Sequence, residues 1–68
     1  MKLREILGNN IVRYRNQANM TQMQLASAAE ISLSQLRHVE HDTGNTTVDV
    51  IERISYSLNV PPSDLFKN

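Results

Sequence analysis

The chain has no cysteine and no tryptophan, and its 68 residues hold only two glycines, two prolines, one phenylalanine and two tyrosines. Without cysteine there is neither a disulfide framework nor a thiolate metal site, which suits a reducing compartment. Two glycines cannot make the glycine-rich loop that cradles a nucleotide's phosphates. No apolar run approaches the ~20 residues of a membrane span, and no basic-then-apolar leader follows Met1. The expectation is one cytoplasmic domain over residues 1–68 with no membrane association. An excess of charge of one sign is missing too. Seven Lys and Arg balance seven Asp and Glu, so the formal net charge is zero. Taken alone this argues mildly against a nucleic-acid binder, because sequence-independent affinity for nucleic acid comes from neutralised phosphates.

What the chain does have is helical periodicity, with no convincing strand. Leu3, Leu7, Ile11, Tyr14 and Ala18 recur at spacings of three and four, predicting a first amphipathic helix from about residue 3 to 18. Asn19 can end it in the left-handed conformation. Thr21 and Gln24 form a capping box, so a second helix starts near Gln22, with Leu25, Ala26 and Ala29 on its apolar face. Ile31 follows as a buried hinge. Ser32 and Gln35 make a second capping box, and a third helix runs to about His41 with Leu36 and Val39 inward. Two short helices joined by so tight a turn form a helix-turn-helix unit, here about residues 21–41. Thr46 or Thr47 caps a fourth helix with Val48, Ile51, Ile54 and Leu58 inside and Arg53 and Tyr56 outside, and Asn59 closes it. After Pro61 and Pro62, Ser63 caps a last helical turn that returns Leu65 and Phe66 to the core. The predicted fold is all-α, a compact cluster of five helices.

The order and spacing of these residues carry a resemblance. Arg15-x3-Asn19-Met20-Thr21-Gln22-x2-Leu25-Ala26, then Ile31-Ser32 with Ser34 and Leu36, Val39-Glu40, Asn45-x2-Val48-x2-Ile51-x2-Ile54-x3-Leu58-x-Val60 and Ser63-Asp64-Leu65-Phe66 follow without a gap. Residues 7 to 66 thereby resemble the Cro and phage-repressor type of helix-turn-helix domain, also called the xenobiotic-response-element family, with its lambda-repressor-like fold. The chain departs from the family where glycine is usual: Glu30 stands in the helix-turn-helix turn and Asp42 after the third helix. Both places commonly require positive φ, which costs a non-glycine residue on the order of 1 kcal/mol. The basic residues that the family tends to carry at Val12 and near Thr43 and Gly44 are also absent.

The resemblance implies double-stranded DNA as partner, with the third helix in the major groove and the second against the backbone. Carried over by position, the base-facing candidates are Leu33, Ser34, Arg37 and His38. Leu33 offers an apolar surface to a thymine methyl, Ser34 can donate or accept, and Arg37 or His38 can address guanine acceptors. The phosphate-facing candidates are Gln22, in the first turn of the second helix where free N–H groups favour an anion, and His41, Thr43 and Asn45. Arg15 and Glu40 occupy the positions of a salt bridge between the first and third helices, whose consequence is orientation more than stability.

Enzyme chemistry fails on inventory. His38, His41 and Asp42 lack a further ligand for a metal centre, and no spacing singles out a triad. Neither a metal nor a cofactor is expected. The function implied is a sequence-specific transcriptional repressor that occupies an operator as a homodimer, paired through the C-terminal segment of Val60, Pro61, Pro62 and whichever of Leu65 and Phe66 the core leaves out. The alternative is a protein-interaction module or antitoxin-like co-regulator on the same fold, with a protein partner on the exposed face.

Overall fold

The structure, a computed structural model, describes residues 2–41 and 46–68. Helix α1 spans Leu3–Gln17, α2 Gln22–Ala29, α3 Leu33–Glu40 and α4 Val48–Leu58, and a 3₁₀ helix follows at Pro62–Phe66. Among the described residues there is no strand. Four α-helices and one 3₁₀ turn thus stand where five helices are expected. Ser63 caps nothing: the last element begins at Pro62, with Pro61 as its N-cap residue and no side-chain cap, and Asp64 N–H donates to the Pro61 carbonyl at 3.0 Å. Proline at its start fixes φ and needs no N–H partner there.

The starts of α2 and α3 are chemically alike. Gln24 N–H donates to Thr21 Oγ1 at 3.0 Å while Thr21 N–H donates to Gln24 Oε1 at 2.8 Å. Gln35 N–H and Ser32 N–H repeat the exchange with Ser32 Oγ and Gln35 Oε1 at 3.0 and 2.9 Å. Each box satisfies N–H groups that a helix start leaves unpaired. At α4 it is Thr47 that accepts, from Val50 N–H at 3.2 Å.

Three helix ends share one device as well. Asn19, Glu30 and Asn59 take left-handed φ values of 57°, 58° and 62°. The residue after each donates five positions back: Met20 to Arg15, Ile31 to Ala26 and Val60 to Ser55, at 3.1, 3.0 and 3.0 Å. Met20, Ile31 and Val60 are also half-buried against the core, so each turn closes with a hydrogen bond and an apolar contact together. Glu30 has the least suitable side chain for this conformation, and its carbonyl is held by Arg53 Nη1 at 3.2 Å. Glu30→Gly is therefore expected to stabilise the domain by about 0.5–1 kcal/mol, as relief of strain exceeds the entropy added to the unfolded chain. Urea unfolding checks this; an unchanged midpoint would show that Glu30 bears no strain. The same expectation for Asp42 lies outside the described residues.

The core joins Leu7, Ile11, Leu25, Ala26, Ala29, Leu36, Val39, Ile54, Leu58 and Leu65. Helix α1 packs on α3 and on the 3₁₀ helix, and α2 packs on α4. Three residues assigned inward by periodicity point outward: Val48 is 75% exposed and Leu3 58%, and Ala18 is exposed as well. Leu3 and Val48 are the first residues of their helices, and Ala18 is the C-cap residue just past the end of α1. A helical repeat places a residue on one face of its own helix, but not whether another element covers that face at the helix end. The inward face of α4 instead begins at half-buried Val50 and Ile51 and continues through buried Ile54, Ser55 and Leu58. The chain's end is tied down by buried Asn10, whose Nδ2 donates to the carbonyls of Leu65 and Lys67 at 2.9 and 2.7 Å. Leu65 is wholly buried and belongs to the core.

Candidate nucleic-acid interface

Helix α3 turns two faces to two environments. Leu36 and Val39 are buried, which fixes the helix rotationally, and Ser34, Arg37 and His38 are left exposed with Leu33 half-buried beside them. Residues 34, 37 and 38 lie three and four apart, so they form one surface row. The structure thereby brings all four base-facing candidates onto a single element. His41 is the exposed C-cap residue of α3. Thr43 and Asn45 lie outside the described residues. Among the described residues no helix is long and apolar enough to cross a membrane.

Next to the row is a groove of about 330 Å³ between α3 and the start of α4, lined by Ser34, Gln35, His38, Val39, Thr46, Thr47 and Val50. In the sequence Gln35 stands out only as half of a capping box. Its oxygen serves the cap, which leaves the amide N–H groups as donors beside Ser34 and His38. The third helical position of a capped helix sits next to the first exposed turn, so the capping box itself places Gln35 there.

Behind the row, the orientation of α3 is held by charge. Arg15 Nε donates to Glu40 Oε2 at 2.8 Å and Nη2 to Oε1 at 3.4 Å, while Nη1 donates to the Met20 carbonyl at 3.0 Å. The side chains are 14% and 1% exposed. One arginine thus ties α1, the turn before α2 and the end of α3 together. Glu40 has another partner that spacing alone does not reveal, Gln22, whose Nε2 donates to Oε1 at 2.8 Å. Gln22 Oε1 in turn receives Arg37 Nε at 3.5 Å. The side chain expected to reach a phosphate is therefore engaged within the protein, between Glu40 and Arg37.

Gly8 makes the approach of α1 to α3 possible. A Cβ built on it would lie 2.7 Å from the carbonyl oxygens of both Val39 and Glu40. No bulkier residue fits without moving backbone.

A helix-turn-helix family model matches residues 11–65. The control protein C.BamHI of Bacillus amyloliquefaciens is 33% identical over 64 residues, covering 93% of this chain and 79% of that protein. The restriction-modification controller protein C.AhdI from Aeromonas hydrophila has a TM-score of 0.89 at 22% identity, covering 93% of this chain and 96% of its own. The hypothetical transcription factor NHTF from Neisseria reaches 0.93 at 24% identity, covering 97% and 76%. These two structures speak for the fold. The chain belongs to the helix-turn-helix family of the Cro and phage-repressor type. It is a DNA-binding transcription regulator, not an enzyme.

Proposed function

We propose that this chain is a cytoplasmic control protein that occupies an operator as a two-fold dimer and represses from it, with α3 in the major groove and α2 across the backbone. The observation that carries this reading is the row of Ser34, Arg37 and His38, exposed on a short helix whose other face is anchored in the core. The relation to a control protein at 33% identity supports the regulatory class. Leu33, Ser34 and His38 read base edges; the first turn of α2 around Gln22, with His41, Thr43 and Asn45, follows the phosphates.

Charge limits how tightly one copy can hold. With balanced net charge and one arginine withdrawn into the Glu40 pair, each protomer neutralises few phosphates. Binding by a pair compensates, and the surface left for pairing is exposed Pro61 with half-buried Val60, Pro62 and Phe66. Two recognition helices so related meet half-sites one helical turn apart, ~34 Å, on an approximate palindrome.

The test is selection of bound sequences from a random pool, followed by titration at several salt concentrations. An approximate palindrome should emerge, with two protomers per site by light scattering and a log–log salt slope of about −3 to −5 per dimer. Ser34→Ala and His38→Ala should change the preferred base at defined positions, each worth about 1–3 kcal/mol of discrimination. One protomer on a non-palindromic site, or a preference untouched by both variants, would overturn the reading.

A further inference from the structure

A carboxylate can only accept hydrogen bonds, and that of Glu40 is 1% exposed. It therefore dictates which way round the Gln22 amide sits: Nε2 faces inward to Glu40 at 2.8 Å, and Oε1 faces outward. An outward carbonyl oxygen is the wrong end for a phosphate, since both are acceptors. It is the right end for a guanidinium, and Arg37 Nε lies 3.5 Å away. With Nε turned to Gln22, the two Nη groups of exposed Arg37 remain as donors in a planar fork suited to phosphate oxygens. The guanidinium thus leans from α3 onto the first turn of α2, and in helix-turn-helix docking α2 is the helix that crosses the backbone.

We propose that Arg37 contacts phosphate and does not read a base, and that Gln22 is its positioning residue, set in turn by Glu40. The assignment rests on the DNA-binding reading above and deepens it. A continuous hydrogen-bonded chain runs from the Met20 carbonyl through Arg15, Glu40 and Gln22 to Arg37. The ion pair that orients α3 therefore also aims its one arginine. An arginine already leaning on a fixed partner loses less side-chain freedom on binding than one that is not, which favours a contact made with few cations.

Arg37→Ala, Gln22→Met and the double variant, each first shown by circular dichroism and urea unfolding to be folded, are titrated against the selected operator and against mismatched sites. Gln22→Ala serves in the same cycle if methionine disturbs the fold. Arg37→Ala should weaken all sites alike, roughly tenfold per protomer, and make the salt slope shallower by about one unit per protomer. Gln22→Met should weaken all sites alike by less, and the double variant should bind no worse than Arg37→Ala alone. In the free protein, ¹⁵N relaxation at Arg37 Nε should show an ordered side chain that becomes mobile in Gln22→Met. A changed base preference in Arg37→Ala, additive losses in the double variant, or an Arg37 equally mobile with and without Gln22 would overturn the assignment. A wild-type chain that bound no DNA would overturn the operator reading and this one with it, and shows already in the first titration.

Discussion

Glu40→Ala is expected to cost about 3–5 kcal/mol, a large part of the stability a domain of 68 residues can have. The reason is what the substitution leaves behind. Arg15 is 14% exposed and has Glu40 as its charge partner at 2.8 Å, so removing the carboxylate strands a guanidinium in the protein's interior. Gln22 Nε2 loses its acceptor at the same time. The loss is not the worth of the ion pair, which desolvation of both charges reduces to little; it is the penalty for half of one. Removing both charges with Arg15→Met and Glu40→Leu together should accordingly recover much of the loss. Glu40→Gln should fall between, because an amide keeps one oxygen for Arg15 but sets a second N–H₂ against that of Gln22. Urea unfolding with the slope compared across variants is the measurement. A loss below about 1 kcal/mol for Glu40→Ala would mean that the pair behaves like an exposed one.

The second large effect comes from the smallest change. By helix propensity Gly8→Ala, in the interior of α1, should stabilise by about 1 kcal/mol. Packing reverses the sign. The new Cβ would stand 2.7 Å from two carbonyl oxygens of α3, Val39 and Glu40, and backbone cannot swing aside as a side chain can. Relief requires α1 and α3 to separate, which opens the contact around Leu7 and Ile11 and costs about 1–3 kcal/mol net. Because the displaced carbonyls belong to α3, operator affinity should fall more than that of an equally destabilised variant elsewhere, such as Ile54→Val. Melting and titration of the two variants side by side decide it. An alanine variant as stable as wild type would show that the helices part without strain.

The elements most legible in the sequence are those fixed by local chemistry. Thr21 with Gln24 and Ser32 with Gln35 locate two helix starts, because a hydroxyl and an amide three residues apart satisfy the free N–H groups within one turn. Asn19 and Asn59 locate two ends for an equally local reason, their tolerance of positive φ. Helical spacing assigned Leu7, Ile11, Leu25, Leu36, Ile54 and Leu58 correctly to the interior. It failed at Leu3, Ala18 and Val48, all at helix ends, where the period continues but the side chain is exposed. It failed also in the last turn, where Pro61 and Pro62 set a 3₁₀ helix that Ser63 has no part in capping.

The candidate site divides along the same line. The sequence by itself determined that Ser34, Arg37 and His38 share a face, since spacing of three and four on a capped helix is a property of that helix alone. It also named the two charges at Arg15 and Glu40, 25 positions apart, through the family's pattern. Only the tertiary structure decided what the charges do to their neighbours. Gln22 and Glu40 are 18 residues apart, Arg37 and Gln22 15, and no periodicity relates positions on two helices that meet at an angle. The same holds for Gly8, whose missing side chain matters because the carbonyls of Val39 and Glu40 come within 2.7 Å of where a Cβ would be. Local hydrogen bonding and helical geometry act over a few residues and are written in order along the chain. The direction of an amide and the closeness of two backbones depend on which helices are pressed together, and that follows from burying all their apolar faces at once.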